Sequence, residues 1–194
     1  MILGITGGIA SGKSTVSAYL RSKNIPIVDA DAISHKVMGK GKPVLKLIEE
    51  EFGPQFFVDG RLDRQLLGTY CFQDEKRVEK LNSIVHPFIF EEIENQLKTY
   101  KDAPLIVLDA PLLIESELYK RCDKVMVVIC RRGKRIARAI KRSNLPKLEV
   151  RKRMKQQIPE RERLKFADFV IKNNSTVEKT LQQVEKVLKE LNYE

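Results

Sequence analysis

The chain lacks tryptophan altogether and has only two histidines and three cysteines among 194 residues. Cys71, Cys122 and Cys130 are odd in number, sit in apolar contexts and show no C-x-x-C spacing. They read as buried, reduced thiols, which excludes a disulfide scaffold or a cysteine-held metal and points to a cytoplasmic protein. No apolar run approaches the roughly 20 residues that a membrane helix needs. There is no repeat and no low-complexity tract, and residues 1–6 are expected to form a strand, not a secretory leader. The length suits one domain, with room for an inserted lobe.

Acidic residues fall short of basic ones, leaving a net charge of +10, and the excess is confined to one segment. Between Arg131 and Lys165, 15 Lys and Arg stand against Glu149, Glu160 and Glu162, whereas the other 159 residues carry 21 basic and 23 acidic side chains. Such a cluster suits a polyanion: a nucleic acid, or phosphorylated small molecules. A solvated helical face accounts for part of it as well. Aromatic interleaving of the kind that stacks RNA bases is missing, since Phe166 and Phe169 come only at the segment's end. A guanine-reading N-K-x-D motif is also absent.

What is present is concentrated at the start. Gly7, Gly12, Lys13 and Ser14 satisfy G-x-x-x-x-G-K-[ST], the phosphate-binding loop. Ile2, Leu3 and Ile5 make a short strand before it, and Ser14 to Lys23, with Val16, Tyr19 and Leu20 on one face, reads as the helix after it. Glycines let the backbone curl around a phosphate and aim N–H groups inward, while the helix N-terminus adds partial positive charge. Lys13 is expected to reach the β- and γ-phosphates and the Ser14 hydroxyl to hold Mg²⁺. The chain is therefore expected to bind a nucleoside triphosphate.

Further along, residues 25–28 form a second short strand that runs into Asp29-Ala30-Asp31, placing two carboxylates where open parallel sheets bind ligands. Asp29 reads equally as a cap for the helix starting at Ala30. His35 follows Asp31 by four residues, on the same helical face. Residues 43–102 switch to helical spacing, in four pieces with turns at Phe52-Gly53-Pro54 and Asp59-Gly60; the last piece runs from Pro87 to Tyr100. No strand is evident among them, so an inserted helical lobe is expected. Leu105 to Leu108 is a third strand ending at Asp109, where a carboxylate can support a metal. Leu112 to Glu115 is expected to open a short helix, and Lys124 to Ile129 is a fourth strand. Two basic helices follow, separated at Asn144-Leu145-Pro146 and ended at Ile158-Pro159. Phe169 to Ile171 is a fifth strand and Thr176 to Leu191 an amphipathic helix. This alternation implies an α/β fold with a five-stranded, mostly parallel sheet covered on both faces, the first strand near its centre.

These landmarks together resemble the dephospho-CoA kinase family along essentially the whole chain. They are residues 7–15, Asp29-Ala30-Asp31 with His35, Phe52-Gly53, Leu62-Asp63-Arg64, His86-Pro87, Pro111 to Glu115, Arg138 with Arg142, Arg153 with Gln157, and Ala167 to Asn173. The resemblance implies a P-loop NTPase fold that moves the ATP γ-phosphoryl group to the 3′-hydroxyl of the dephospho-CoA ribose, with Mg²⁺. It assigns ATP binding to Gly8, Ile9, Ala10, Ser11, Gly12, Lys13, Ser14 and Thr15, with Asn173 near the adenine. Catalysis falls to Lys13, Asp31, Arg138 and Arg142. The second substrate falls to Asp31, His35, Arg64, His86, Leu112 and Glu115. It further implies a core of residues 1–30, 103–130 and 166–194, a CoA-binding lobe over about 31–102, and a mobile basic lid over about 131–165. Asp31 is either the base at the acceptor hydroxyl or a support for Mg²⁺ through water. ATP and dephospho-CoA are the implied partners, with no nucleic acid or membrane, in a monomer or weak homo-oligomer.

Three residues depart from the family pattern. Ala10 stands where Gly is usual, a change that costs little if the backbone there is not left-handed. Arg135 stands where Gln is common, and Ser143 where Asp often follows the lid arginine. Two rival readings are a kinase of the same fold acting on a nucleoside or nucleotide, and a nucleotide-switched protein that binds RNA through the basic segment.

Overall fold

A computed structural model describes residues 1–143, 146–155 and 157–193. Asn144 and Leu145, at the expected break between the basic helices, lie outside the described residues, as do the side chains of Ser143 and Arg153. The chain divides into two compact units, one of residues 1–29 and 100–194 and the other of residues 30–99.

The first unit begins with β1 (Ile2–Gly7) and α1 (Lys13–Ser22), followed by β2 (Ile27–Asp29). The second unit opens with α2 (Ala30–Val37) and α3 (Val44–Phe52). It continues through β3 (Phe57–Val58), β4 (Arg61–Leu62), α4 (Arg64–Cys71) and α5 (Glu75–Thr99). The chain returns to the first unit with β5 (Ile106–Asp109) and β6 (Lys124–Ile129). It ends with α6 (Arg132–Ser143), α7 (Lys147–Lys155), α8 (Glu160–Leu164), β7 (Phe169–Lys172) and α9 (Val177–Glu190).

The main sheet runs in the order β2-β5-β1-β6-β7, and every pairing in it is parallel. The first strand is thus central, as the sequence predicts. Residues 3–7 of β1 and 125–128 of β6 are all buried, which fits strands covered by helices on both faces. Val16 and Leu20 of α1, with Val184 and Leu188 of α9, close over Leu3, Ile5, Met126 and Val128. Because the strands are parallel, their carboxyl ends share one edge: the phosphate loop leaves β1 there, and Asp29 and Asp109 pair in register at the ends of β2 and β5. At the far side of the sheet, Asp168 bonds Lys124 and the Val125 N–H and so fixes the start of the β6–β7 pairing.

The 30–99 unit corrects the sequence reading twice. Strands β3 and β4 form an antiparallel hairpin about Asp59-Gly60, so the unit is not purely helical. Two residues a side are too few to show an alternating pattern. Asp59 and Gly60 both have positive φ, +50° and +70°, the twist that a tight hairpin demands. Second, the two helical pieces expected on either side of Pro87 are a single helix, α5, with Pro87 inside it. Proline removes one helical hydrogen bond and crowds the preceding turn. Burial of Val85 and Ile93 on one side of α5, with Ile84, Phe88 and Ile89 packed partly against Val44, Ile48 and Leu67, outweighs that cost.

Two smaller departures lie in the first unit. Residues 111–116 form turns, and the helix comes later as a short 3₁₀ segment at Leu118–Arg121. Cys71 and Cys130 are buried as expected, but Cys122 is only partly so; all three thiols are free. Burial next to Asp123 pushes the Cys122 thiol up to about 12, so it stays protonated.

The strain at Pro87 is open to measurement. Pro87→Ala restores the missing N–H at an accessible position, and chemical denaturation should show a gain of about 1–2 kcal/mol, part of proline's helix-interior penalty. A loss of stability instead would mean that the ring's packing outweighs the recovered hydrogen bond.

Candidate active site

The phosphate loop is a tight backbone curl whose first turn is closed by Ser11 N–H donating to the Gly8 carbonyl at 2.9 Å. Gly12 ends the loop at φ +102°, a left-handed conformation that glycine adopts without strain, and serves as the N-cap of α1. No side chain among the described residues caps that helix, so its first N–H groups remain for an anion. A Cβ at Gly12 would also run into the Asn173 amide.

The loop's carbonyls are held from outside. Asn173, buried after β7, donates from Nδ2 to the Ser11 carbonyl at 2.8 Å and accepts from Thr180 Oγ1 at 3.2 Å. Its amide is thus part of the loop's scaffold, between the loop and α9. Arg135 of α6 donates from Nε to the Ile9 carbonyl at 2.9 Å. Ile9 N–H in turn donates to Gln157 Oε1 at 2.9 Å. The sequence marks Gln157 as a family landmark and Arg135 as a departure from the family pattern, but shows neither as a loop contact, because both are remote in sequence from Ile9. The Ser11 hydroxyl is buried and finds no hydrogen-bond partner among the described residues.

Ala10 corrects an expectation. Its backbone is left-handed, with φ +57°, the condition under which a Cβ there does carry a cost. The strain sits inside the loop, between the two carbonyls that Arg135 and Asn173 hold.

Lys13 pairs with Asp109 Oδ1, and Ser17, one turn further along α1, donates to Asp109 Oδ2 at 2.6 Å. The carboxylate at the end of β5 therefore binds the loop lysine and the second turn of α1 together. Ser14 is exposed at the start of α1, while Thr15 is half-buried. Hydroxyl and carboxylate oxygens are the donors that hard cations take, and Mg²⁺ with a nucleotide needs only one or two of them from protein. The donor set at the loop fits that ion.

The basic segment divides into buried and exposed charges. Arg138 is half-buried and donates to Cys130 Sγ at 3.5 Å, while Arg142 is exposed near the end of α6. Glu115, assigned by resemblance to the second substrate, accepts from the Ile158 N–H at 3.2 Å and lies 3.7 Å from the Arg163 guanidinium. It thus anchors the segment leading into α8. Leu112, three residues earlier, is exposed. Burial lowers the pKa of both Arg135 and Arg163, with Glu160 opposing the shift at each and Glu115 at Arg163.

In the 30–99 unit, Asp31 and His35 are exposed on α2. Arg64, the first residue of α4, clasps His35 at both its ring Nδ1 and its backbone carbonyl. Asp63 caps α4 by accepting from the Leu66 N–H at 2.9 Å, which fixes where Arg64 starts. The structure therefore brings His35 and Arg64 together. His86 lies on α5, half-buried with its ring 5.2 Å from that of Phe90; burial lowers its pKa, favouring the neutral ring.

A family model described as dephospho-CoA kinase matches residues 1–179 of this chain. A dephospho-CoA kinase of Bacillus anthracis is 42% identical over 195 residues, covering 99% of this chain and 98% of the relative. A protein of solved structure from Thermus thermophilus superposes with a TM-score of 0.84 at 36% identity, over 98% of this chain and 97% of the other. A dephospho-CoA kinase from Campylobacter jejuni gives 0.73 at 28% identity, over 98% and 96%.

Ala10→Gly isolates the loop's strain. Removing a left-handed Cβ relieves about 1–2 kcal/mol, and glycine's extra chain entropy returns about 0.5–1. Thermal or chemical unfolding should accordingly show a small gain, where Ala→Gly in an ordinary position shows a loss. A clear loss would place the strain elsewhere.

Proposed function

The chain belongs to the dephospho-CoA kinase family, and on that premise we propose how its residues divide the work of the reaction. The activity is ATP-dependent phosphorylation of dephospho-CoA to CoA, the final step of CoA biosynthesis. The observation that carries it is the family match over residues 1–179, a span that holds the phosphate loop, Asp31 and the basic segment.

In this proposal the backbone of residues 8–15 cradles the ATP phosphates at the N-terminus of α1, where unsatisfied N–H groups and the helix dipole favour negative charge. Lys13, braced by Asp109, carries the charge that the migrating phosphoryl group meets. Arg138 and Arg142 add to it from α6. Phosphoryl transfer asks the protein for little covalent chemistry, so positioning and charge stabilisation supply most of the rate. Ser14 would hold Mg²⁺, which when bound with ATP neutralises charge on the phosphate oxygens. Asp31, exposed on the first turn of α2, takes the proton of the acceptor 3′-hydroxyl or orients it. His35 with Arg64, and His86, contribute to binding dephospho-CoA, together with Leu112 and Glu115. Asn173 serves ATP by holding the loop, beside any contact it makes with the adenine.

Among the described residues no helix is long and apolar enough to cross a membrane. We place the enzyme in the cytoplasm, as a monomer or weak homo-oligomer without a nucleic-acid partner, because the basic segment carries no interleaved aromatics. A coupled ADP-release assay offering dephospho-CoA, adenosine, AMP and shikimate separates this enzyme from other kinases of the fold. Preference for any of the last three would overturn the assignment.

Lys13→Ala should lower kcat by about 10²–10³, the scale of losing one preorganised charge stabiliser, while ATP affinity falls less. Near-normal kcat would remove Lys13 from the mechanism. Asp31→Asn keeps size but loses basicity, and loss of a general base costs on the order of 10²–10⁴ in rate. If Asp31 is the base, that loss persists at any Mg²⁺ concentration and calorimetric binding of dephospho-CoA survives. Recovery of the rate on raising Mg²⁺ would assign Asp31 to metal support, and activity within a few-fold of the parent would leave it neither role.

A further inference from the structure

Helix α6 presents Arg135, Arg138 and Arg142 at spacings of three and four, so they share one face. Only Arg135 is fully buried, at 7% exposure. Burying a guanidinium is expensive unless hydrogen bonds and opposite charge compensate it, and here Arg132 and Arg163 add repulsion. The compensation is specific: Nε donates to the Ile9 carbonyl at 2.9 Å, and Nη1 lies 3.5 Å from Glu160 Oε2. Gln157 holds the Ile9 N–H from its own segment at 2.9 Å, so both polar groups of Ile9 are pinned.

Gly8 supplies the second observation. Its φ lies outside the left-handed region, so its backbone does not call for glycine. A Cβ there would run into the guanidinium of Arg135. Glycine at this position leaves space, and Arg135 fills it.

We infer that Arg135 is a positioning residue for ATP: it fixes the first turn of the phosphate loop through Ile9, and Gly8 lacks a side chain to admit it. The inference rests on the reading that this loop binds ATP. A turn set before the phosphates arrive spares ATP the cost of ordering it. The benefit is binding that ground state and transition state share, so its loss appears in KM for ATP and not in kcat. Glutamine has a nitrogen at the same bond count from Cα as arginine's Nε, so Arg135→Gln retains a donor for the Ile9 carbonyl without the charge.

The test is steady-state kinetics on Arg135→Ala, Arg135→Gln, Gly8→Ala and the Gly8→Ala/Arg135→Ala double variant. Calorimetric ATP binding and turnover of dephospho-CoA by the parent come first; failure there would sink the ATP reading itself, separately from this inference. Arg135→Ala should raise KM for ATP about tenfold, the scale of one lost charge-assisted hydrogen bond, with kcat and KM for dephospho-CoA within about threefold. Arg135→Gln should stay within about threefold of the parent in all three constants. Gly8→Ala should raise KM for ATP in the parent and add less than about twofold to Arg135→Ala, because both changes remove the same contact. An unchanged KM in Arg135→Ala, an equal loss in Arg135→Gln, or effects that multiply in the double variant would each overturn the inference. If Arg135→Ala loses cooperative thermal unfolding, Arg135→Met replaces it with the same expectations.

Discussion

A loop that wraps a phosphate must turn its N–H groups inward, and its carbonyls then need donors from somewhere else. That requirement organises the 1–29 and 100–194 unit. The Ser11 carbonyl is met by Asn173 at the end of β7, and the Ile9 carbonyl by Arg135 on α6. The Gly8 carbonyl is met within the loop by the Ser11 N–H. Each outside donor comes from an element that the parallel sheet delivers to the same edge. The sheet order, with β1 central and β6 and β7 beside it, is what makes those donors available.

Charge in this unit is arranged in the same spirit. Lys13 and Ser17 share the carboxylate of Asp109, so the loop lysine is tied to the end of a neighbouring strand. Behind the loop, Arg135 and Arg163 are buried with Glu160 and Glu115 at their edges. Glu115 Oε2 and Arg163 Nε are buried without hydrogen-bond partners among the described residues, so the network is only partly satisfied. Half-satisfied buried charge is costly in stability. Of the two buried arginines, Arg135 brings its charge against the phosphate loop itself, at the Ile9 carbonyl and Gly8.

The 30–99 unit solves a different problem. It buries Val44, Ile48, Phe56, Leu67 and Val85 in a separate apolar cluster, using α3, α4 and a 25-residue helix that tolerates an internal proline. Its polar features are local: the Asp63 cap, the hairpin turn and the Arg64–His35 clasp. The clasp joins two of the residues that resemblance assigned to the second substrate, linking the start of α4 to α2 across the intervening α3 and hairpin in sequence.

Much of this was legible in the sequence because it rests on short-range rules. The strand–loop–helix start at residues 1–22, the five apolar strands, the basic segment and the final amphipathic helix follow from periodicity, glycine placement and charge counting. The family's landmarks are likewise local strings. What sequence could not supply were outcomes decided by competition or by contact at a distance. Pro87 stays inside a helix because packing on one face outweighs a lost hydrogen bond, and periodicity cannot weigh the two. Ala10 is left-handed between two carbonyls held by Asn173 and Arg135, which stand 163 and 125 residues away, beyond the reach of any local rule. Arg135 and Gln157 both belong to the basic segment, and nothing in their local sequence shows that they meet at the two polar groups of Ile9. The chain's composition and motifs determined its chemistry; the tertiary structure decided which side chains hold the phosphate loop in shape, because hydrogen bonds to a loop's carbonyls come from whatever the fold places beside it.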